Sequence, residues 1–545
     1  MNTIDLENNF FDRKSILDLL KRRVIDLKEG YRQNIAFLGD RHIGKSSILQ
    51  KFVHDLDEEG IIDIYLDLEN KDFNYFYSKF AGSILYNFSK SKKLNLYDDL
   101  NLLMESTRKF IPQTVEEIKK IQASVAKGRL VEAYRDLIAL PEIFTLESGK
   151  FCVIILDEFH NLEELTISNI FQELGKKIMT QKRCLYIVTS SLGTVAKEIL
   201  SEKLSLLFGH FEIIPIGPFD LRTSQLFVEH NLKSIRISPA LRNFLIDFTG
   251  GHPFYLNIIS QELIHLCALH GQSEIFTPLL TQAVENTIFN RWGVLSRHFE
   301  LIAHNLSVSK GNRSVLSILI ALANGKHKLS EIVEAVGLGK SFVSLKLNRL
   351  MELSIVVKNG NFYCLADKLL RYWIKYVLQK RLKTIDAYTE NLRSQFAVEI
   401  SSLVADFKNI SEKDLSTRIV ELLHCFDNES FRLNGRRYKL PLFSEIMPVK
   451  LGSGVSDGIE VIKACASEGV WFIVLKEGGL GENELNLFLS QSKQLTKKPQ
   501  QRVIVSLNDL EANARLRALQ EKMWIWSEGE LNTLLSLYDK PYIMK

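Results

Sequence analysis

The chain has 545 residues, of which 46% are hydrophobic and 25% are charged, and its formal net charge is +4 at pH 7. This length predicts two to four domains, and the composition excludes a largely disordered protein. The net charge is too small to indicate nucleic-acid binding by itself, so any such argument has to rest on local patches.

The cysteines and the hydropathy pattern indicate the cellular setting. The six cysteines lie far apart, with no C-x-x-C and no cysteine–histidine cluster, which is typical of free thiols in a reducing compartment. No apolar run approaches the roughly 20 residues that a transmembrane helix needs. The polar N-terminal segment lacks the pattern of a signal peptide. We therefore expect a cytoplasmic protein without a membrane partner.

The first motif along the chain is G-x-x-x-x-G-K-S at residues 39–46, in "NIAFLGDRHIGKSSIL". A strand-like apolar run precedes it and helical spacing follows it, as in a P-loop, where backbone N–H groups and a helix N-terminus surround phosphates. Lys45 is expected to contact the β- and γ-phosphates and the Ser46 hydroxyl to bind Mg²⁺. The predicted nucleotide-binding residues of this loop are Gly39, Asp40, Arg41, His42, Ile43, Gly44, Lys45, Ser46 and Ser47.

A second motif, "FCVIILDEFHNL" at residues 151–162, supplies carboxylates at the end of an apolar strand. Mg²⁺ bound to a nucleotide needs such a carboxylate, and a buried strand places it rigidly. We predict that Asp157 is the second magnesium ligand and that Glu158 orients or deprotonates the attacking water. Glu158, Asp157 and Lys45 are therefore the predicted catalytic residues.

Two further strands, at residues 61–68 and 184–191, alternate with helical stretches and predict a parallel α/β sheet. Thr189 and Ser190 lie at the end of the later strand. Their hydroxyls are candidates for sensing the γ-phosphate and equally for capping the next helix.

The motifs "GDRHIGKSSIL", "IILDEFHNL", "IVTSSLGTV", "LFGHFEIIPIGPF" and "TGGHPFYLN", in this order, resemble those of the STAND-type signalling ATPases among the AAA+-related P-loop proteins. The archaeal-type ATPase branch is the most similar, and the resemblance covers roughly residues 9–377. It implies ATP and Mg²⁺ as ligands, a P-loop ATPase core over residues 1–215 and a helical lid over 216–305. Residues 250–253 match the family's glycine-glycine-x-proline motif, which implies that Pro253 contacts the nucleotide.

One position departs from that family. An arginine usually follows the glycine of "LFG", and this chain has His210 there. Arginine is always charged, whereas histidine is neutral for much of the time near pH 7. The departure implies slow turnover or a different trigger for it.

Residues 306–385 predict a winged helix-turn-helix, because three helical stretches precede a hairpin that turns at Asn359-Gly360. Double-stranded DNA is one expected partner of this domain. The alternative is an intramolecular clamp against the ATPase, since a few basic residues on a helix usually form a solvated face. The residues expected to meet DNA are Ser341, Ser344, Lys346 and Arg349 on the third helix and Lys358 on the wing.

Residues 386–545 resemble the restriction-endonuclease-like fold that is often attached to this ATPase branch. Such nucleases bind Mg²⁺ through an acid on one strand and a second acid or glutamine two residues before a lysine on the next. Here Asp457 or Glu460 and Lys476 match, but Val474 occupies the position of the second acid. The domain is therefore predicted to be degenerate, unless Glu445 rebuilds the metal site.

Together the patterns predict an α/β protein with a P-loop NTPase parallel sheet and a helical lid, followed by a winged helix-turn-helix and a C-terminal α/β restriction-endonuclease-like domain. The predicted function is an ATP-hydrolysing switch. The resemblance adds a role in prokaryotic sensing or defence, an effector or trigger protein as partner, and an ATP-dependent homo-oligomer. Two alternatives stay open: a DNA-binding regulator with a structural ATP site, and an ATP-gated, Mg²⁺-dependent nuclease.

Overall fold

The structure is a computed structural model that describes residues 10–56, 58–69, 71–204, 211–307, 313–383, 390–449, 459–495, 499–508 and 510–544. It divides the chain into two compact units, Met1–Phe219 with Glu352–Ser354, and Asp220–Met351 with Ile355–Lys545. No helix within the described ranges combines the length and the apolar character that a membrane crossing requires.

The described part of the first unit is built on a sheet of five parallel strands in the order β2-β3-β4-β1-β5. Apolar side chains run continuously along its central strands because both faces of a parallel sheet are covered. This sheet confirms the predicted parallel α/β architecture. The strands are β1 Asn34–Leu38, β2 Ile61–Asp67, β3 Phe151–Asp157, β4 Cys184–Ser190 and β5 Phe211–Pro215.

Helices cover both faces of this sheet. Alternate side chains of β3 face opposite cores: Ile154 and Leu156 pack on one side, and Val153 and Ile155 on the other. The helices are α1 Lys14–Lys28, α2 Lys45–His54, α3 Phe73–Ser91, α4 Leu100–Thr107, α5 Pro112–Ala126, α6 Leu130–Ser148, α7 Ile170–Thr180 and α8 Gly193–Glu198. A 3₁₀ helix, Phe159–Leu165, follows β3, and a π turn, Ile199–Lys203, follows α8.

The strand register brings the polar ends of several strands to one edge of the sheet. Asp67 pairs with Asp157, and Leu38 pairs with Ser190 on its other side. The loop that starts at Gly39 leaves the sheet at this edge. Open parallel sheets bind their ligands outside the carboxyl ends of the strands, which makes this edge the place for a site.

The second unit begins with a helical segment that contains the glycine-glycine-x-proline sequence. Gly250, at a φ of 64°, ends one helix, and Pro253 begins the next, as expected from their conformational preferences. The elements are α9 Leu221–Leu232, β6 Arg236–Ile237, α10 Pro239–Thr249, α11 Pro253–Leu269, β7 Glu274–Ile275, α12 Thr277–Val284 and α13 Val294–Ser307.

The next segment contains three helices and an antiparallel hairpin, in the order expected from the sequence. Val343, Leu347 and Leu350 on the third helix are buried. The elements are α14 Arg313–Ala323, α15 Leu329–Val336, α16 Lys340–Glu352, β8 Val356–Asn359, β9 Phe362–Leu365, α17 Lys368–Trp373 and α18 Gln379–Arg381.

The last segment carries a second sheet, whose five described strands lie in sequence order. The first three strands are antiparallel to one another, and the last three are parallel. The elements are α19 Glu390–Ser411, α20 Leu415–Leu423, β10 Glu429–Leu433, β11 Arg436–Leu440, β12 Phe443–Val449, β13 Ile459–Ala466, β14 Gly469–Lys476, α21 Glu482–Leu495, β15 Gln501–Ser506, α22 Ala512–Gln520, β16 Trp524–Trp526 and α23 Glu528–Ser536.

Within the second unit, the β8–β9 hairpin packs its turn on β10. The Asn359 amide donates to the carbonyl of Arg432 at 3.1 Å and accepts its N–H at 2.5 Å. A Cβ added to Gly360 would lie 1.9 Å from the carbonyl oxygen of Ser430, so only glycine fits this approach. The tip of the hairpin, expected from the sequence to approach DNA, is therefore covered by β10. Lys358 lies 4.9 Å from the centre of the Tyr363 ring.

Candidate nucleotide site

The glycines of the loop at residues 39–44 meet two different demands of the backbone. A Cβ at Gly39 would lie 2.1 Å from the carbonyl oxygen of Ile216, which belongs to the backbone and cannot move aside. Gly44 has a φ of 102°, a conformation that favours glycine, and it caps α2. The loop therefore depends on glycine at both ends, one for close packing and one for its turn.

The start of α2 presents backbone donors to the loop. Lys45 is the first helical residue, so the first N–H groups of this helix have no intrahelical acceptor. Together with the helix dipole, they favour an anion at this end. Ser46 is half-buried and Ser47 is exposed, whereas Ile43 is 1% exposed and anchors the loop in the core.

The Lys45 ammonium lies across the loop. It donates to the carbonyls of Gly39 at 2.8 Å and Asp40 at 2.9 Å, and it is 3.4 Å from the Glu158 carboxylate. Lys45 is only 4% exposed. Its charge is therefore fixed between the loop and the end of β3.

Asp157 ends β3 with both carboxylate oxygens engaged. Tyr65 donates its hydroxyl to Oδ2 at 2.6 Å, and the Thr189 hydroxyl donates to Oδ1. Burial first, and then the Asp157 charge, raises the pKa of the Tyr65 phenol. Thr189 also accepts the backbone N–H of Glu158 at 2.9 Å. In this structure Thr189 positions the two acids, which differs from both roles considered for it above.

Glu158 lies between a lysine and a backbone donor. Its φ of 53° turns the chain sharply after β3, and its carboxylate accepts the N–H of Ser191 at 2.7 Å. Burial raises the pKa of this carboxyl, but the charge of Lys45 and the Ser191 N–H outweigh it, so the pKa is lowered overall. Glu158 is therefore ionised at neutral pH and able to accept a proton.

His160 and Ser190 complete this edge. The His160 Nδ1 is 2.9 Å from the Ser190 hydroxyl and 3.5 Å from the Glu158 carboxylate. Burial lowers the pKa of His160, against the opposing effect of Glu158. Ser190 also accepts the N–H of Leu192 at 3.1 Å, and no side chain caps α8. The helix-capping role considered for Ser190 is therefore not found.

The sequence missed Tyr65 and His160 as members of this site. His160 follows Asp157 closely in the second motif, and this proximity was a usable signal. Tyr65 had none, since the adjacency of β2 and β3 is not visible in the sequence. Arg41 forms an ion pair with Glu69 at the exposed rim. His210 lies outside the described residues.

Pro253 belongs to the second unit, and its contact with nucleotide stays a prediction. The helix before it is firmly fixed. Asp247 accepts from Lys368 at 2.8 Å and from the N–H of Tyr542 at 2.9 Å. The Lys368 ammonium also lies 4.0 Å from the centre of the Tyr542 ring. The glycine-glycine-x-proline segment is thus tied to α17 and to residue 542.

The residues at the edge of the first sheet fit a nucleotide-bound magnesium ion. No group of three or more histidine, cysteine or acidic side chains in the described ranges could hold a metal by itself. Mg²⁺ in nucleotide sites needs only one or two protein ligands beside phosphate oxygens and water. Asp157 has about four lone-pair sites, and its two hydrogen bonds leave room for a metal or its water.

The second sheet does not assemble the metal site of a nuclease from its described residues. Glu460 pairs with Leu475, and paired residues share a face, so Glu460 lies on the face opposite Lys476. Lys476 instead binds both oxygens of Glu484 at 2.6 Å. Glu445 pairs with Cys465, six residues along β13 from the partner of Lys476, or about 20 Å away. Asp457 lies outside the described residues.

Comparisons with known proteins point to the same half of the chain. Residues 10–259 match the profile of a family described as an ATPase domain predominantly from Archaea. None of the curated proteins matches the chain.

Three solved structures are similar to it. A Walker-type ATPase of Pyrococcus abyssi has 16% identity and a TM-score of 0.48, with 67% of this chain and 96% of that chain covered. The ORC2 protein of Aeropyrum pernix, in ADPNP and ADP complexes, has 11% identity and a TM-score of 0.44, covering 70% and 99%. The Thermotoga maritima RuvB Holliday junction branch migration motor has 10% identity and a TM-score of 0.32, covering 67% and 96%. The ATPase-domain match spans the loop at residues 39–46, Asp157 and Glu158, and ends inside α11.

Proposed function

We propose that this chain binds ATP with Mg²⁺ and hydrolyses it as a molecular switch. The observation that carries the proposal is the convergence of Lys45, Asp157 and Glu158 at one edge of the parallel sheet, around a loop that requires Gly39. The ATPase-domain match over residues 10–259 supports it.

The roles of the residues follow from their surroundings. Lys45 and the N–H groups at the start of α2 bind the phosphates, and Asp157 and the Ser46 hydroxyl hold Mg²⁺. The ion, when bound, neutralises charge on the phosphate oxygens. Glu158, ionised and fixed by the Ser191 N–H, orients the attacking water and takes its proton.

Replacing Glu158 by glutamine tests hydrolysis separately from binding. The amide keeps the size of the side chain but is a poor proton acceptor, so steady-state ATP turnover should fall about 10²- to 10⁴-fold while nucleotide binding persists. Glu484→Gln is the matched control, since Glu484 also pairs with a lysine, and it should leave turnover unchanged. Wild-type turnover in Glu158→Gln would remove Glu158 from the mechanism.

The partners implied by the resemblance belong to the same proposal: double-stranded DNA, an effector or trigger protein, and further copies of the chain assembled on ATP. Because β10 covers the hairpin tip, DNA contact is assigned to α16 alone. Phe342 and Leu345 on this helix are 41% and 66% exposed and would suit a protein partner. Duplex DNA added to the turnover assay distinguishes the two, since only a DNA sensor responds to it.

The two alternative functions differ in their support. A DNA-binding regulator with a structural ATP site lacks a need for Glu158, whereas the structure fixes this acid beside Lys45. An ATP-gated nuclease is disfavoured because Glu460 and Lys476 lie on opposite faces of the second sheet. Neither alternative gains a specific observation.

A further inference from the structure

We infer that Tyr65 is a positioning residue that orients the carboxylate of Asp157 for Mg²⁺. The inference rests on the proposed function, since it concerns the same site. Tyr65 lies on β2, the neighbour of β3, and its hydroxyl donates to Asp157 Oδ2 at 2.6 Å. It acts on the reaction through Asp157.

The Tyr65 hydroxyl is itself fixed from the other side. The Gln50 side chain, on α2, forms a hydrogen bond with it. Gln50 follows Ser46 by four residues, so both lie on the same face of this helix. One phenol therefore links the helix that carries Ser46 to the strand that carries Asp157. The two residues assigned to Mg²⁺ are held in register by two hydrogen bonds.

The carboxylate depends on these donors because it is buried. Asp157 is 3% exposed, and a buried carboxylate loses its contacts with water and needs protein donors instead. Thr189, on β4, supplies the donor to Oδ1. Without the Tyr65 hydroxyl, Oδ2 loses its donor and the carboxylate is free to rotate about its bond to Cβ.

The ring and the hydroxyl of Tyr65 have separable roles. The ring packs against the core that includes Ile48 and Ile155. A Tyr65→Phe replacement retains this packing and removes only the hydroxyl. Outer residues that orient a metal ligand typically cost 10- to 100-fold in metal affinity when they are lost.

The experiment measures binding of a fluorescent ATP analogue to the full chain while Mg²⁺ is titrated. In Tyr65→Phe, the Mg²⁺ concentration at half-maximal effect should rise about 10- to 100-fold, and binding without Mg²⁺ should stay as in the wild type. Tyr186→Phe is the matched control. Tyr186 lies on β4, is fully buried, and donates its hydroxyl to Gln181 at 2.5 Å. Its loss should leave the Mg²⁺ midpoint unchanged.

The outcomes separate this inference from the proposed function. If the wild type binds nucleotide in a Mg²⁺-dependent way and Tyr65→Phe has the same Mg²⁺ midpoint, the positioning role is overturned and the proposed function stands. A wild type that binds no nucleotide overturns both. If Tyr65→Phe does not fold, Gln50→Leu replaces it, with a smaller rise of the midpoint expected. An unchanged midpoint in Gln50→Leu contradicts the inference equally.

Discussion

The two large sheets of this chain both place a lysine and carboxylates near the end of a buried strand, but with different results. At the first sheet, Lys45 and Glu158 meet side chains contributed by β2 and β4, and Asp157 lies among them. At the second, Lys476 meets Glu484, which is eight residues further along the chain. The first arrangement gathers groups from distant parts of the sequence, whereas the second is a local ion pair.

The difference follows from strand direction. Parallel strands bring their carboxyl ends to one edge, so each strand of the first sheet can contribute to the same site. In the second sheet, β13 and β14 are antiparallel, and Glu460 falls on the face away from Lys476. A lysine beside an acid therefore indicates a site only where the topology adds further polar groups.

The largest expected contrast comes from removing each lysine. Lys45→Ala should weaken nucleotide binding by about 2–5 kcal/mol, because it leaves Glu158 buried beside no cation and removes a phosphate ligand. Lys476→Ala should leave nucleotide binding unchanged. Titration calorimetry with ATP and Mg²⁺ measures both variants. Equal losses in the two would mean that the sheets do not differ as described.

A second contrast uses one glycine from each sheet. Gly39→Ala should lower the free energy of unfolding by about 1–3 kcal/mol, since the added Cβ meets the backbone of Ile216. Gly478→Ala is the matched control, because its Cβ would meet only the Lys476 Cε, at 4.0 Å. Urea denaturation followed by circular dichroism gives both values. Similar stability of the two variants would contradict the tight packing of Gly39.

The smallest expected effect is the loss of the ion pair in the second sheet. The side chains of Lys476 and Glu484 are 20% and 21% exposed, so water screens their interaction. Glu484→Gln should cost about 1 kcal/mol or less in the free energy of unfolding. The same denaturation measurement applies. A loss several times larger would indicate that the pair anchors the second sheet.

The sequence predicted the parts of the site that are contiguous and missed those that depend on strand order. The loop at residues 39–46 and the pair Asp157 and Glu158 follow from local patterns. The bonds of Tyr65 and Thr189 to Asp157 require β2 and β4 to flank β3, an order that no local pattern encodes.

The same distinction holds in the second unit. The helices and the β8–β9 hairpin follow from periodicity and from the Asn359-Gly360 turn. Strand β12 was not predicted, since Pro448 and a register shift near Glu445 disrupt its alternation. The packing of the hairpin on β10 was also not predictable, because it joins residues about 70 positions apart.

The Asn359 side chain has a consequence for the solubility of the folded chain. Its amide offers one N–H and one carbonyl to Arg432, as a peptide group of a neighbouring strand would. The β10–β11 ribbon is only two strands wide, and an open ribbon edge is a template for pairing with another molecule. A side-chain amide from elsewhere in the same molecule occupies part of that edge, which protects the ribbon against aggregation without adding a strand.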